Sequence, residues 1–297
     1  AFDENQRLYY VLHLNSTAFQ MKNIIILYLL SLVSIPTFSQ TDSTSTQVNN
    51  TWSNFKSDIS VTLKSVGHSF TSPLHWKSDD FLTAGGVFAG TGLLYLSDQE
   101  ANGIFLKQGS GAPKVFKDFG RYFGSPQNFF LVSTGIYGFG LFTDNEKVRH
   151  TGILIFSSAI TTGVIQSISK TVVGRARPNS GNHNKFEPFS KEAGFHSFPS
   201  GHSVLSFTMA HAVAKQFEDF WAKASIYTIG AIAPISRLWA NAHWLSDVGL
   251  GMALSVVVVD GIDNFMNKNK FYTDSKPKTI SWRISAGLGT IGMVGTF

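Results

Sequence analysis

The chain is 297 residues long, 43% hydrophobic and only 14% charged, with 27 glycines, 26 phenylalanines and a net charge of +5. That length carries one large core or two small ones, and the composition points to a bundle of apolar helices, lipid-facing or not, and away from a disordered or acidic protein. The absence of cysteine excludes disulfides, thiolate metal sites, a cysteine nucleophile and lipidation on an N-terminal cysteine. The mild positive charge, with no dense Lys/Arg run, suits anionic substrates or membrane headgroups and gives no case for nucleic acid.

In chain order, residues 1–20 show no clear pattern and are expected to be a mis-called start. Met21, Lys22 and Asn23 then lead into an apolar run over 24–35, followed by Thr37, Phe38 and Ser39. A short basic start, an apolar run and small residues two apart make 21–39 a signal peptide, with cleavage near Ser39 or Gln40. The run is short for a transmembrane helix. Residues 40–50 form a polar lead-in expected to be flexible. Over 51–69, Trp52, Phe55, Ile59, Leu63 and Val66 recur at three- and four-residue spacing, which predicts an amphipathic helix closing the 40–80 region.

Six apolar segments of helical length follow, at 81–96, 128–142, 151–169, 203–217, 225–238 and 245–262. They predict an all-α fold: a helical bundle with about six core helices over 81–265. Two connections are long, 97–127 (holding Lys107, Lys114, Lys117 and Arg121) and 170–199. Long loops between rigid helices are where binding groups usually sit. In the tail, 266–297, Ile280, Trp282 and Ile284 alternate with Ser281, Arg283 and Ser285, which predicts a short C-terminal strand or hairpin.

Three short patterns carry chemistry. Lys170, Arg177 and Pro178 make Lys-x6-Arg-Pro at the end of the third segment. Two helical turns would put both cations on one face, where they suit a phosphate group; the bland reading is a solvated helix end. Arg175, between them, reads as a surface charge. The stretch GFHSFPSGH over 194–202 places Ser200, Gly201 and His202 at the start of the fourth segment. Free backbone N–H groups and the positive end of the helix dipole make an anion site there, and His202 can move a proton near neutral pH. Its bland reading is a turn with a capping serine. Finally Ser236, Arg237, His243 and Asp247 form Ser-Arg-x5-His-x3-Asp. One helical turn apart, Asp247 can accept a hydrogen bond from His243, leaving the other ring nitrogen as nucleophile or base. A structural hydrogen bond is the alternative. Among the other histidines, His211 is assigned to a packed helix and His150 and His183 to loops, His196 is a candidate pocket residue, and Trp239 and Trp244 are assigned to core or interface.

In this order and spacing the three patterns resemble the type-2 phosphatidic acid phosphatase and vanadium-haloperoxidase superfamily, over about 81–262. The resemblance implies that Lys170, Arg177 and Arg237 hold phosphoryl oxygens, with Ser200 and the Gly201 amide. It implies that His243 attacks phosphorus to form a phosphohistidine with Asp247 orienting it, and that His202 protonates the leaving oxygen and then activates water. Charge on the equatorial oxygens is met by cations, so neither a metal nor another cofactor is called for. The implied activity is a metal-independent phosphatase acting on lipid phosphates (phosphatidic acid, phosphatidylglycerophosphate or a polyprenyl diphosphate) or on small phosphoesters. A vanadate-dependent haloperoxidase and a non-catalytic envelope scaffold are the competing readings.

Segment polarity brings all three patterns, and the 97–127 connection, to one end of an up-and-down bundle. If the signal is cleaved and all six segments cross a membrane, that end faces the cytoplasm, whereas bacterial relatives of this kind imply the outside. A bundle that spans nothing, a different number of spans, or a cytoplasm-facing site would each resolve the conflict. The expectation adopted is an exported, membrane-associated envelope enzyme facing the periplasm. The oligomeric state is not legible in the sequence.

Overall fold

The computed structural model describes residues 44–181, 183–272, 281–287 and 290–296, with side chains over 51–181 and 183–272. The expected start at Met21, the signal over 21–39 and the first residues of the lead-in lie outside these. Helix α1, Thr44–Thr71, is followed by a 3-10 turn, Ser72–His75, and by α2, Ser78–Leu96. Then come α3 (Asp98–Gly111), α4 (Lys114–Phe123), α5 (Pro126–Phe142), α6 (Glu146–Val173), α7 (Gly201–Ala214), α8 (Phe220–Trp239) and α9 (Leu245–Lys268). The fold is all-α through this unit, as the segment lengths lead one to expect. In the tail, Ser281–Gly287 and Thr290–Thr296 run antiparallel, with Ser281 opposite Thr296.

Two expectations are corrected. Helix α1 already begins at Thr44, inside the stretch read as a flexible lead-in. The connection 97–127 is two helices, not a loop. In α4, Val115, Phe116, Phe119 and Phe123 stand at helical spacing between Lys114, Lys117 and Arg121. In α3, Asp98, Ala101 and Gly109 turn to the inside. Glycine and lysine on both hid the periodicity.

Local chemistry sets the ends of the long helices. Asn145 caps α6, its side chain accepting from the Val148 N–H at 3.1 Å, and Asp219 caps α8 by accepting from Ala222 at 2.8 Å. Helix α6 stops at Gly174, whose φ of 57° is left-handed. A Cβ there would run into the Glu187 carbonyl, so glycine is required twice over.

Six helices, α2 and α5 to α9, make the bundle: α5 packs on α6, α7 on α8, and α9 on α2, α6 and α7. The core is filled by Phe129, Leu154, Ile155, Ala212, Val259, Ile262 and Met266, all almost wholly buried. At one end, Asp58 of α1 ties four segments together. Tyr137 and Tyr272 donate to its carboxylate at 3.0 and 2.9 Å, and Arg149 pairs with it at 3.1 Å. His150, assigned to a loop, is a residue of α6 beside Asp263. The other end collects the α6 C-terminus, the α7 N-terminus, the α8 C-terminus and the α9 N-terminus, with α4 packed on α8.

Candidate active site

At that end the first pattern is split by Gly174. Lys170 remains on α6, and Arg175 and Arg177 follow in the irregular connection, so a continuous helix does not carry them. Lys170 Nζ donates to the His196 carbonyl at 2.7 Å, and Arg177 Nη2 donates to the same carbonyl at 3.2 Å. One backbone oxygen therefore draws both cations together. Arg177 also donates to the Ala193 and Ala242 carbonyls at 3.2 and 3.0 Å. His196 contributes that carbonyl, while its ring faces away to the Ser190 oxygen at 2.8 Å.

The second pattern begins α7, with a cis peptide between Phe198 and Pro199. Ser200 occupies the N-cap position, but its side chain does not cap the helix; its Oγ accepts from Ser203 Oγ at 2.9 Å. Its backbone N–H donates to the Asp247 carbonyl at 3.0 Å, which fixes the start of α7 against α9. Gly201 is the first residue of α7, where backbone N–H groups lack intrahelical acceptors. His202 Nε2 donates to the Arg121 carbonyl at 3.2 Å. A Cβ on Gly124 would lie 2.8 Å from the His202 Cβ, so the α4–α5 link is moulded to this ring. Burial, with Arg237 beside it, pushes His202 down to about 4.

The third pattern straddles the α8–α9 turn. His243 is 4% exposed and Asp247 is fully buried. The expected direct hydrogen bond between them is replaced by a longer pairing, Nδ1 to Oδ2 at 3.6 Å. Ser197 is what intervenes: its Oγ lies 3.5 Å from Nδ1 and donates to Asp247 Oδ2 at 2.5 Å. The Trp244 N–H donates to the same oxygen at 2.9 Å. On the opposite edge of the ring, Nε2 lies 3.3 Å from Arg177 Nη1. A guanidinium can only donate, so Nε2 is the accepting nitrogen and the proton of the neutral ring sits on Nδ1, towards Ser197 and Asp247. Burial pushes His243 down to about 4, against the opposing pull of the Asp247 carboxylate. The ring is thus neutral at pH 7, with the Nε2 lone pair turned to Arg177.

Arg237 folds its Nε and Nη2 onto Ser236 Oγ at 3.2 and 3.1 Å and lines an open cleft with His202. The cleft, about 470 Å³, is completed by Arg121, Tyr122, Ser125 and Asn128 from α4, α5 and the link between them. Arg121 belongs to the connection that the sequence places at this end, whereas Tyr122, Ser125 and Asn128 were missed because nothing in their spacing marks them. Arg175 was misread: it is 1% exposed and pairs with Asp98 and Asp247. Trp244, by contrast, is buried as a core residue, its indole donating to the Ala176 carbonyl at 2.8 Å.

Comparison with known proteins falls on this segment. The model of the PAP2 superfamily matches residues 151–271. Lipid A 1-phosphatases of Rhizobium etli and Rhizobium johnstonii are 31% and 30% identical over 109 residues, 36% of this chain and 46% and 44% of theirs. That of Porphyromonas gingivalis is 29% identical over 133 residues, 43% of this chain and 26% of its own. The chain therefore spans less than half the length of the curated relatives it matches. Among solved structures, LpxE of Aquifex aeolicus aligns at 20% identity and a TM-score of 0.42, covering 54% of this chain and 93% of that one. A PAP2-type phosphatidylglycerolphosphate phosphatase of Bacillus subtilis aligns at 21% and 0.46, covering 62% and 95%. The family match and all three motifs thus fall on one continuous stretch, and residues 151–271 are similar to the PAP2 superfamily.

Proposed function

We propose that this protein is a phosphoric ester hydrolase that removes phosphate from a lipid phosphate through a phosphohistidine on His243. The observation that carries the reading is the buried, neutral His243, with Nδ1 turned to Asp247 and Nε2 turned to Arg177. In the first step Nε2 attacks phosphorus, the ester P–O bond breaks, and the leaving oxygen takes a proton from His202. In the second, water attacks phosphorus as His202 accepts its proton, the P–N bond breaks, and inorganic phosphate and free His243 result. Lys170, Arg177 and Arg237, with Ser200 and the Gly201 amide, meet the charge on the equatorial oxygens.

The lipid character of the substrate is supported by the surface. Phe81, Leu82, Phe88 and Leu93 on α2, and Leu131, Phe139 and Phe142 on α5, stand exposed. Helices Glu146–Val173 and Leu245–Lys268 are long and apolar enough to cross a membrane. So much apolar surface suits a membrane-associated protein better than one bathed in water. We read it as an exported envelope enzyme whose site faces the periplasm. The activity for which the Rhizobium relatives are named adds lipid A 1-phosphate to phosphatidic acid, phosphatidylglycerophosphate and polyprenyl diphosphate as substrates to try.

The test is phosphate release by detergent-extracted protein in the presence of EDTA, from each of these lipids and from p-nitrophenyl phosphate. Release is expected from at least one lipid and lost in His243→Ala. Silence on every substrate, or undiminished release by the variant, would sink the reading.

A further inference from the structure

The mechanism above leaves unused the largest fully buried side chain among the described residues, and that side chain is charged. Arg175 Nη1 donates to Asp247 Oδ1 and to Ser246 Oγ, each at 2.7 Å. Its Nη2 donates to Asp98 Oδ2 at 2.6 Å, with a longer contact to the His183 carbonyl at 3.4 Å. The planar head lies among the rings of Tyr95, Trp244 and Phe186, 4.8, 5.5 and 5.9 Å from their centroids. Asp98 in turn holds the first turn of α9: it accepts from the Ser246 N–H at 2.8 Å and from Ser246 Oγ at 2.6 Å. An arginine enclosed like this costs several kcal/mol to bury, and a purely structural brace could be built from apolar residues instead.

Resting on the phosphohistidine reading, we propose that Arg175, held by Asp98, is the positioning residue of the nucleophile: it fixes the Asp247 carboxylate so that Nδ1 of His243 is turned towards it and Nε2 towards phosphate. The division of Asp247 supports this. Arg175 takes Oδ1, while Ser197 and the Trp244 N–H take Oδ2, the oxygen nearer the ring. With both oxygens held, the carboxylate cannot rotate, and neither can the imidazole that leans on it. Two carboxylates face one guanidinium, so one negative charge is left over for the imidazolium that resembles the phosphorylated ring. Arg175 touches no substrate in this scheme; it acts through Asp247.

The experiment compares Arg175→Gln, Arg175→Lys and Asp98→Asn with wild type, in detergent-extracted full chain, by kcat, KM and the pH profile of kcat/KM, with Tm as a fold check. Around His243 stand Asp247 of α9, Lys170 of α6, Arg177 of the connection and His202 of α7. Removing the Arg175 charge leaves Asp247 free to stabilise imidazolium, so the acid limb of kcat/KM should move to higher pH in Arg175→Gln. In the same variant kcat should fall about 10²-fold with KM within a few-fold, as expected of misplacement by an ångström or so. Arg175→Lys should restore the limb but only part of kcat, because one ammonium cannot fork between two carboxylates. Asp98→Asn should lower kcat about tenfold and leave the limb where it is or lower, never higher. If Arg175→Gln does not fold, the Lys and Asn variants carry the same test: wild-type kcat in both overturns the proposal. Lowered Tm with an unmoved limb and unchanged kcat per folded molecule would make Arg175 a brace and also overturn it. A fully active His243→Ala would instead overturn the phosphohistidine reading beneath, so the two failures are distinguishable.

Discussion

At the scale of single residues, the proposed mechanism requires two histidines that differ in protonation when substrate arrives. Both are held near 4 in the free pocket, His243 by burial and His202 by burial with Arg237 beside it. His243 can therefore attack at any pH above about 4, and below that kcat/KM should fall as its lone pair is taken. His202 has no proton of its own to give at neutral pH. The proton must come with the substrate, whose phosphate monoanion loses it near roughly pH 6, so kcat/KM should also decline on the alkaline side. A pH series read from 4 to 9 should show a mildly acidic optimum, and a flat profile from 5 to 9 would contradict this assignment. His202→Gln should cost about 10²- to 10⁴-fold in kcat on an alkyl phosphate and distinctly less on p-nitrophenyl phosphate, whose leaving oxygen needs little help. Equal losses on both would remove His202 from the acid role. The eight motif residues were legible because their order and spacing are distinctive. Ser197, Arg175 and Asp98 were not, since a serine in a loop and charges beside a motif carry no mark of burial.

At the scale of elements, the apolar periodicity located the six core helices to within a few residues, because each presents a continuous apolar length. It failed for α3 and α4, which are short and cover the bundle end with only part of one face. It failed again at the Lys-x6-Arg-Pro pattern, where helical spacing suggested a shared face but Gly174 turns the chain out of the helix. That turn is what lets Arg175 point inward while Arg177 meets His243. Gly174→Ala would put a side chain at φ 57° against the Glu187 backbone. The expected cost is at least about 1–2 kcal/mol, seen as a drop of a few degrees in Tm together with a loss of kcat. A variant that melts and turns over like wild type would show the turn to be dispensable. Gly201→Ala makes a useful contrast, since its Cβ would meet only the Gln166 Nε2 at 2.5 Å, the far end of a flexible side chain.

At the scale of the molecule, the ends of the bundle differ in kind. One is closed around Asp58, and the other gathers the cations and the cleft. The absence of cysteine makes orientation directly measurable, because any introduced thiol is unique. Lys114→Cys stands at the cleft end on α4, with a side chain 88% exposed. For a periplasm-facing site it should react with a membrane-impermeant maleimide once the outer membrane is permeabilised and the inner membrane left intact. Labelling only after inner-membrane lysis would place the site in the cytoplasm. The sequence could not settle this, since side and span number depend on the membrane and the loops carry no decisive charge bias.

The buried triangle of Asp98, Arg175 and Asp247 has a consequence for what counts as the smallest working piece of this protein. The family likeness starts at residue 151, yet one corner of the triangle lies well upstream of it, on α3. A chain trimmed to the recognisable stretch would keep every signature residue and leave a guanidinium short of one of its two counter-charges. It would also discard α4, whose backbone steadies His202. The stretch that carries the likeness is thus shorter than the stretch that keeps these buried charges paired.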